Sequence, residues 1–290
     1  MSTSTQLVKE LRERTGLGIL DCKRALDATD GDLELAIAEM RKSSALKAAK
    51  KAGRTTANGL LGLKVADDRR RAAMVEVNIE TDFAAKNERF IDFVDAVLNA
   101  AFETGDDLDT LLAGGLDVQR QALVQEIGEN VTVRRATVLE CADGFIGSYM
   151  HNDTRKAALI EISTHDDELG RDLAMHVTAH DPTPLVVQSA DLDEAMVAKE
   201  REIFASQAAG SGKPPEIIEK IVDGKVRKFL AEVSLVDQEF VKVKGLEIGQ
   251  LLQDKGSECR RFVRYEVGEG IEVAAEDFAA EVAAQIKAAE

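Results

Sequence analysis

The sequence predicts an α+β protein: an N-terminal bundle of three short helices, a duplicated core with antiparallel sheets, a projecting helical hairpin and a C-terminal helix. Three observations carry this prediction. Apolar residues recur at helical spacing through residues 1–54 and are interrupted by Gly and Asp. A stretch of alternating hydrophobicity occurs twice in the middle of the chain. Two long helical patterns are joined by "AGSGKP", whose Gly and Pro force a reversal.

In order along the chain, Leu7, Val8 and Leu11 have helical spacing before the stop "RTGLG". Ile19, Leu20, Lys23, Ala25 and Leu26 begin a second helix. Asp30-Gly31-Asp32 then breaks the chain and caps a third helix carrying Leu33, Leu35, Ile37 and Met40. A bundle this small has a marginal core and leaves apolar groups on its surface, as docking modules do. The basic, Ala-rich "RKSSALKAAKKAGR" continues or follows the third helix as a linker, which closes a first module at residues 1–54. Its lysines read as a solvated face.

The body repeats itself. At an offset of 85, "GLKVADDRRRAAMVEV" (62–77) overlays "GSYMHNDTRKAALIEI" (147–162) without a gap. Gly62 meets Gly147, Ala72-Ala73 meets Ala157-Ala158, and Glu76 meets Glu161. Each copy reads as strand, polar turn, second strand and then helix, so residues 55–143 and 144–274 form two related halves. The first copy runs on into "NIETDFAAKNERFIDFVDAVL" and the second into the shorter "STHDDELGRDLAMHV". Connections vary without disturbing a sheet, so a segment present in one half only is a candidate for function.

That segment contains Asp82-Phe83-Ala84-Ala85, four letters that recur as "EDFAAEV" near the C-terminus. Thr81 or Asp82 can N-cap a helix, and an early acidic side chain suits the positive end of the helix dipole, so local chemistry explains both copies as helix starts. Position separates them. The first lies where the halves diverge; the second opens an amphipathic helix at 275–290, preceded by a strand "RRFVRYEVGEG", where Phe278 is expected to pack on a neighbour. The hairpin, at about 191–231, is expected to pair Leu192, Met196 and Ile203 on one arm with Ile218, Val222 and Phe229 on the other.

Composition narrows the function. The chain has 290 residues and a net charge of −16, which opposes a nucleic-acid backbone as direct partner. Residues 1–54 hold 11 Lys+Arg against 8 Asp+Glu, leaving 26 against 45 for the rest: a slightly basic module on an acidic body. No run of about 18 apolar residues occurs and the first residues lack a signal core, so no membrane contact and a cytoplasmic location are expected. Cys22, Cys141 and Cys259 are odd in number and far apart, as expected of reduced thiols.

Motifs for covalent chemistry fail when tested. "GSGK" (210–213) lacks the Gly five positions before Gly212, where Gln207 stands, and has Pro214 where a phosphate-binding loop needs Ser or Thr. His176 and His180 lie at i, i+4 near His165, but no Glu or Cys completes a zinc pattern, so they are expected at the surface or a helix end. No nucleophile elbow is present. Neither cofactor nor metal is expected. Several interaction surfaces on one frame suggest a protein that acts on another protein.

"LVKELRERTGLGILDCKRAL", "GDLELAIAEMRK", "ETDFAAKNERF", "GENVTVRRA", "GSYMH", "SGKPPEIIEKIVDGKVRKFLAEVSL" and "RFVRYEVGEGIE", in that order, resemble the bacterial elongation factor Ts family over nearly the whole chain. The resemblance implies a guanine-nucleotide exchange factor, without covalent chemistry of its own, that promotes GDP release from elongation factor Tu. It implies that the first module is similar to ubiquitin-associated domains and docks on the GTPase through Leu11, Ile19, Leu20 and Lys23. Many family members carry Met where Ile19 and Leu20 stand. The family's wedge falls on Thr81, Asp82, Phe83 and Ala84 and enters near the partner's Mg²⁺ site, with Ala84 in place of the usual Val. A second-half contact falls on His151. The resemblance leaves open an assembly with two copies of each partner. The alternatives are a passive binding or chaperone module for the GTPase and, third, a hydrolase using His165, Asp166, His176 and His180.

Overall fold

The computed structural model describes residues 4–210 and 214–272. The predicted C-terminal helix with Phe278, and the tip residues 211–213 of the hairpin, lie outside the described residues. The chain opens with α1 (Thr5–Thr15), α2 (Ile19–Ala28) and α3 (Leu33–Lys51). Ser4 Oγ accepts the Gln6 N–H at 3.2 Å and Asp32 Oδ1 accepts the Leu35 N–H at 3.0 Å, so α1 and α3 start on side-chain caps. Gly16 stops α1 at φ 71°, a conformation that costs a residue without Cβ little. Val8, Leu11, Leu17, Cys22, Leu26, Ala36, Ile37 and Met40 close the small core.

The basic stretch after Met40 is helix. Its alanines favour continuation, and α3 runs through it onto the body, where Ser44 Oγ donates to Gln125 Oε1 at 2.9 Å and Ala48 joins the body's core.

The first half of the body contains β1 (Asn58–Val65), β2 (Arg71–Ile79), α4 (Asp82–Ala85), α5 (Glu88–Thr104), α6 (Leu108–Leu111), α7 (Asp117–Ile127) and β3 (Val131–Glu140). The second contains β4 (Phe145–Met150), β5 (Lys156–Ile162), α8 (Asp167–Ala179), the hairpin α9 (Glu194–Ala209) and α10 (Pro215–Val233), α11 (Ile248–Asp254) and β6 (Cys259–Glu266). Each half is a three-stranded antiparallel sheet, ordered β1-β2-β3 and β4-β5-β6. The mixed helical and antiparallel architecture is the one predicted.

The third strands extend the repeat beyond what the hydrophobic pattern announces. In β3 the register slips between Glu76 and Val77, so Arg134 is an extra residue beside Arg135; in β6 it slips between Glu161 and Ile162, so Arg260 is extra beside Arg261. A bulge sets two residues of one strand against one of its neighbour. Here it presents two adjacent arginines to one carboxylate in each sheet. Glu76, fully buried, accepts Arg134 Nη1 at 3.0 Å and Arg135 Nε at 2.6 Å, plus Asn78 Nδ2 at 3.0 Å and the Gly268 N–H at 2.8 Å. Glu161 accepts Arg260 Nη1 at 3.2 Å and Arg261 Nε at 2.7 Å. Burial alone would raise the Glu76 carboxyl, but its four donors offset that and hold it below the usual carboxylate range.

The two sheets pack through reciprocal contacts, as an approximate two-fold relation requires. The Leu61 N–H donates to Thr154 O at 2.9 Å, and the equivalent Ile146 N–H donates to Arg69 O at 2.8 Å. Arg135 Nη2 reaches Glu266 O at 3.1 Å and Arg261 Nη2 reaches Glu140 O at 2.7 Å. Between the sheets lie matched pairs: Leu61 with Ile146, Ala72 with Ala157, Met74 with Leu159, Leu139 with Tyr265.

The hairpin differs from expectation by one helical stripe. Val222 of α10 is buried and Phe229 meets Phe204 edge-on at 6.5 Å, but the α9 face is Val197, Phe204, Ala205 and Ala208, while Met196 and Ile203 are exposed. Both candidate stripes repeat every seven residues; the small Ala205 and Ala208 let the helices approach on one of them. Leu192 is buried but precedes α9.

Candidate functional site

Beyond β2 the chain begins two helices in quick succession, each with its own cap. Thr81 is extended, at φ −123° and ψ 155°, and its Oγ accepts the Ala84 N–H at 3.2 Å. Asn87 Oδ1 accepts the Arg89 N–H at 2.9 Å and starts α5. The second cap limits α4 to a single turn. One side of that turn, Ala84 and Ala85, is buried in the core of the first half. Phe83 points away and is 81% exposed. A helix turns about 100° per residue, so docking the alanines drives Phe83 outward. Lys86 Nζ lies 3.2 Å from Asp82 Oδ2 and 5.6 Å from the Phe83 ring centre, giving the tip a charged border.

Ala84, expected within the wedge as a contact, instead packs inward, where a small side chain fits the turn against the core. Sequence reasoning misses Glu129. Its Oε2 accepts the Thr81 N–H at 3.0 Å and its Oε1 accepts the Thr81 hydroxyl at 2.8 Å. The available signal was "GEN", a Gly that ends α7 at φ 89° followed by an acidic residue before a strand.

The docking positions divide in the same way. Ile19 and Leu20, at the start of α2, are 56% and 69% exposed, and Lys23 is exposed one turn on. Leu11 is buried in the centre of the bundle, so it shapes that surface and offers no contact of its own. Arg89 Nη2 donates to Gly16 O at 3.2 Å and Arg89 Nε lies 3.5 Å from Glu126, which ties the loop before α2 to the start of α5, just beyond the Asp82-Phe83 turn. A cleft of about 560 Å³ lies between these elements. His151 stands apart, exposed in the β4–β5 turn with Nδ1 2.9 Å from Asp153.

Of the remaining histidines, His176 and His180 have ring centres 4.6 Å apart at the end of α8, and the His165 ring packs edge-on against Phe145 at 5.0 Å. His176 lies in the last turn of α8, a helix end as expected, but is fully buried there: Nε2 lies 2.9 Å from Gln238 Oε1, and the Val241 N–H donates to Nδ1 at 3.3 Å. Burial lowers its pKa to about 4, so the ring is neutral, with its proton on Nε2. Asp166 caps α8 by accepting the Leu169 N–H at 2.9 Å. Among the described residues no group of three His, Cys, Asp or Glu is placed to hold a metal ion, and no helix is long and apolar enough to cross a membrane.

An exposed aromatic on a capped and buried turn, beside a bundle with an exposed apolar tip, is an arrangement for contacting a macromolecule. Residues 80–269 match the family model described as elongation factor TS. The chain is similar to elongation factor Ts of Saccharophagus degradans, 52% identical over 289 residues, covering 99% of both chains. It is also similar to elongation factor Ts of Hahella chejuensis, 50% identical over 98% of both chains, and of Thioalkalivibrio sulfidiphilus, 49% identical over the full length of both. The chain belongs to the elongation factor Ts family of translation elongation factors.

Proposed function

We propose that the chain is a guanine-nucleotide exchange factor that binds GDP-loaded elongation factor Tu, disturbs the Mg²⁺ and phosphate site with Asp82-Phe83, and releases GDP so that GTP can rebind. The observation that carries this reading is Phe83, 81% exposed on a turn whose other face is fixed in the core. Residues 1–54 serve as the docking module through Ile19, Leu20 and Lys23. Residues 55–143 carry the wedge, and residues 144–274 add the His151 contact and the hairpin.

The physics sets the division of labour. Mg²⁺ bridges nucleotide phosphates to a GTPase, so displacing its shell weakens nucleotide binding. Coupling is reciprocal: a factor that prefers the nucleotide-free partner lowers nucleotide affinity, and GTP with Mg²⁺ expels the factor. Burying Phe83 contributes about 1.5 to 3 kcal/mol, one to two decades in an equilibrium constant. That is too little to offset a tightly held nucleotide, so the docking module and second half supply much of the binding free energy and the wedge directs it.

Stopped-flow release of a fluorescent GDP from elongation factor Tu, at low and high Mg²⁺, tests this. Wild type is expected to accelerate release and Phe83→Ala to blunt it. If wild type binds the GTPase and leaves the release rate unchanged, the passive-module reading takes over.

A further inference from the structure

We propose that Glu129 is a positioning residue for exchange: its carboxylate fixes the wedge turn and, through the Gly128–Asn130 turn, ties the wedge to the end of the docking module's long helix. The inference rests on the exchange reading above and adds to it the residue that aims Phe83.

Three consecutive residues of this turn, Gly128, Glu129 and Asn130, carry the contacts. Glu129 grips Thr81 with both oxygens, taking its N–H and its hydroxyl. A hydroxyl has one proton to give. With that proton aimed at Glu129, a lone pair of Thr81 Oγ is left for the Ala84 N–H, the bond that caps α4. Gly128 O accepts Lys51 Nζ, from the last turn of α3. Asn130 Nδ2 donates to Arg54 O at 3.1 Å and to Ala52 O at 3.4 Å, while the Asn130 N–H donates to Glu80 Oε1, one residue before Thr81. The same three residues therefore hold the end of the docking helix and the start of the wedge.

A single turn has no stability of its own, because nucleation costs more than one turn's hydrogen bonds return. Ala84 and Ala85 anchor α4 in depth, but small side chains resist rotation poorly. The carboxylate supplies the missing constraint, two charge-assisted bonds at the residue from which the turn starts.

The second half contains the matching control. Offsets of 85 and 126 carry Thr81 to Asp166 and Glu129 to Lys255, and Lys255 Nζ lies 3.3 Å from Asp166 Oδ2. That tether holds the start of α8, where Glu168 stands in place of Phe83. Frame and tether are common to both halves; the aromatic is not.

The test is stopped-flow GDP release from elongation factor Tu with full-length wild type, Glu129→Ala, Glu129→Gln, Lys255→Ala, Phe83→Ala and the Phe83→Ala/Glu129→Ala double variant, titrating each variant. Glu129→Ala is expected to lower the plateau release rate roughly tenfold while leaving the half-saturating concentration within about twofold. Glu129→Gln, which keeps one acceptor for Thr81, falls between. Lys255→Ala releases GDP as wild type does. The double variant is no slower than Phe83→Ala, since an absent wedge needs no aiming. A wild-type plateau for Glu129→Ala beside a slow Phe83→Ala overturns the proposal and leaves the wedge standing. So does a raised half-saturating concentration with an intact plateau, which marks a docking contact, or an equal loss in Lys255→Ala, which marks general loosening. Equal, accelerated rates for wild type and Phe83→Ala instead remove the wedge reading beneath it, and a wild-type rate no faster than that of the GTPase alone removes the exchange reading. If Glu129→Ala does not fold, Glu129→Gln carries the same reading with a smaller loss.

Discussion

After its second strand, the first sheet passes through Thr81 into one turn of helix and starts again at Asn87; the second passes through Asp166 into α8, unbroken to Ala179. The offset of 85 sets Asp82-Phe83-Ala84-Ala85 on Asp167-Glu168-Leu169-Gly170. Both quartets have two exposed residues followed by two buried ones. Glu168 shows what the fold asks of the second place: a charged side chain in the first turn, suited to water and to the helix dipole. Phe83 gives up both advantages. An apolar side chain where the scaffold's own copy keeps a carboxylate is what the proposed contact with a partner asks for. The comparison needs no second protein, because the fold contains its own reference.

The largest expected effect breaks the symmetry of the frame. Glu76→Ala leaves Arg134 and Arg135 without their carboxylate in a buried place and is expected to cost about 3–5 kcal/mol in denaturant unfolding. Glu161→Ala is expected to cost less, because Arg260 and Arg261 are more open to water. Equal losses would mean that solvent screening does not separate the halves.

Next comes acid. His176 has a folded pKa of about 4 against an ordinary 6.5, so the unfolded chain binds the extra proton between those values. The stability that depends on neutral His176 is complete above pH 6.5 and is lost as pH falls toward 4, up to about 3 kcal/mol. The Glu76 carboxyl, held low, contributes above the usual carboxylate range and loses its contribution only at more acid pH. Hydrogen exchange at pH 7 and 4.5 is therefore expected to show the second half loosening before the first.

A smaller effect grades the two copies of one glycine. Gly59, at φ 146°, and Gly144, at φ 143°, each begin a half; an added Cβ would lie 2.1 Å from Val77 O and 2.7 Å from Ile162 O. Alanine is expected to cost about 1–3 kcal/mol at either position, more at Gly59, by thermal unfolding. The smallest effect is Phe83→Glu, which installs the second half's solution. Its stability is expected to stay within about 0.5 kcal/mol of wild type by the same measurement, with exchange activity lost.

The repeat was legible because paired residues on two-strand hairpins keep their spacing, and the exposed Asp82-Phe83 turn was legible as the place where the copies part. What escaped the sequence depended on rotation or register. Adjacent arginines in a regular strand face opposite sides, so nothing in "VTVRRATVLE" announces that a bulge brings both to Glu76. Ala84 and Phe83 are neighbours in sequence but about 100° apart on the turn, so one is core and the other surface. Leu11 and Leu20 are equally apolar, and only the closure of α1 on α2 buries one and bares the other. His176 fits a surface helix as well as a buried one until Gln238, 62 residues on, takes its ring.

The bulges have a consequence for how the chain is made. Glu76 meets Arg135 after 59 residues, but Glu161 waits 100 for Arg261. On a ribosome adding about 5–20 residues per second, the β4–β5 hairpin stands for about 5–20 seconds without its third strand. Throughout that interval the finished first sheet already offers Leu61, Ala72 and Met74 as a mould for Ile146, Ala157 and Leu159. The face that the younger copy needs is thus made before it, inside one chain, and β6 is made after both.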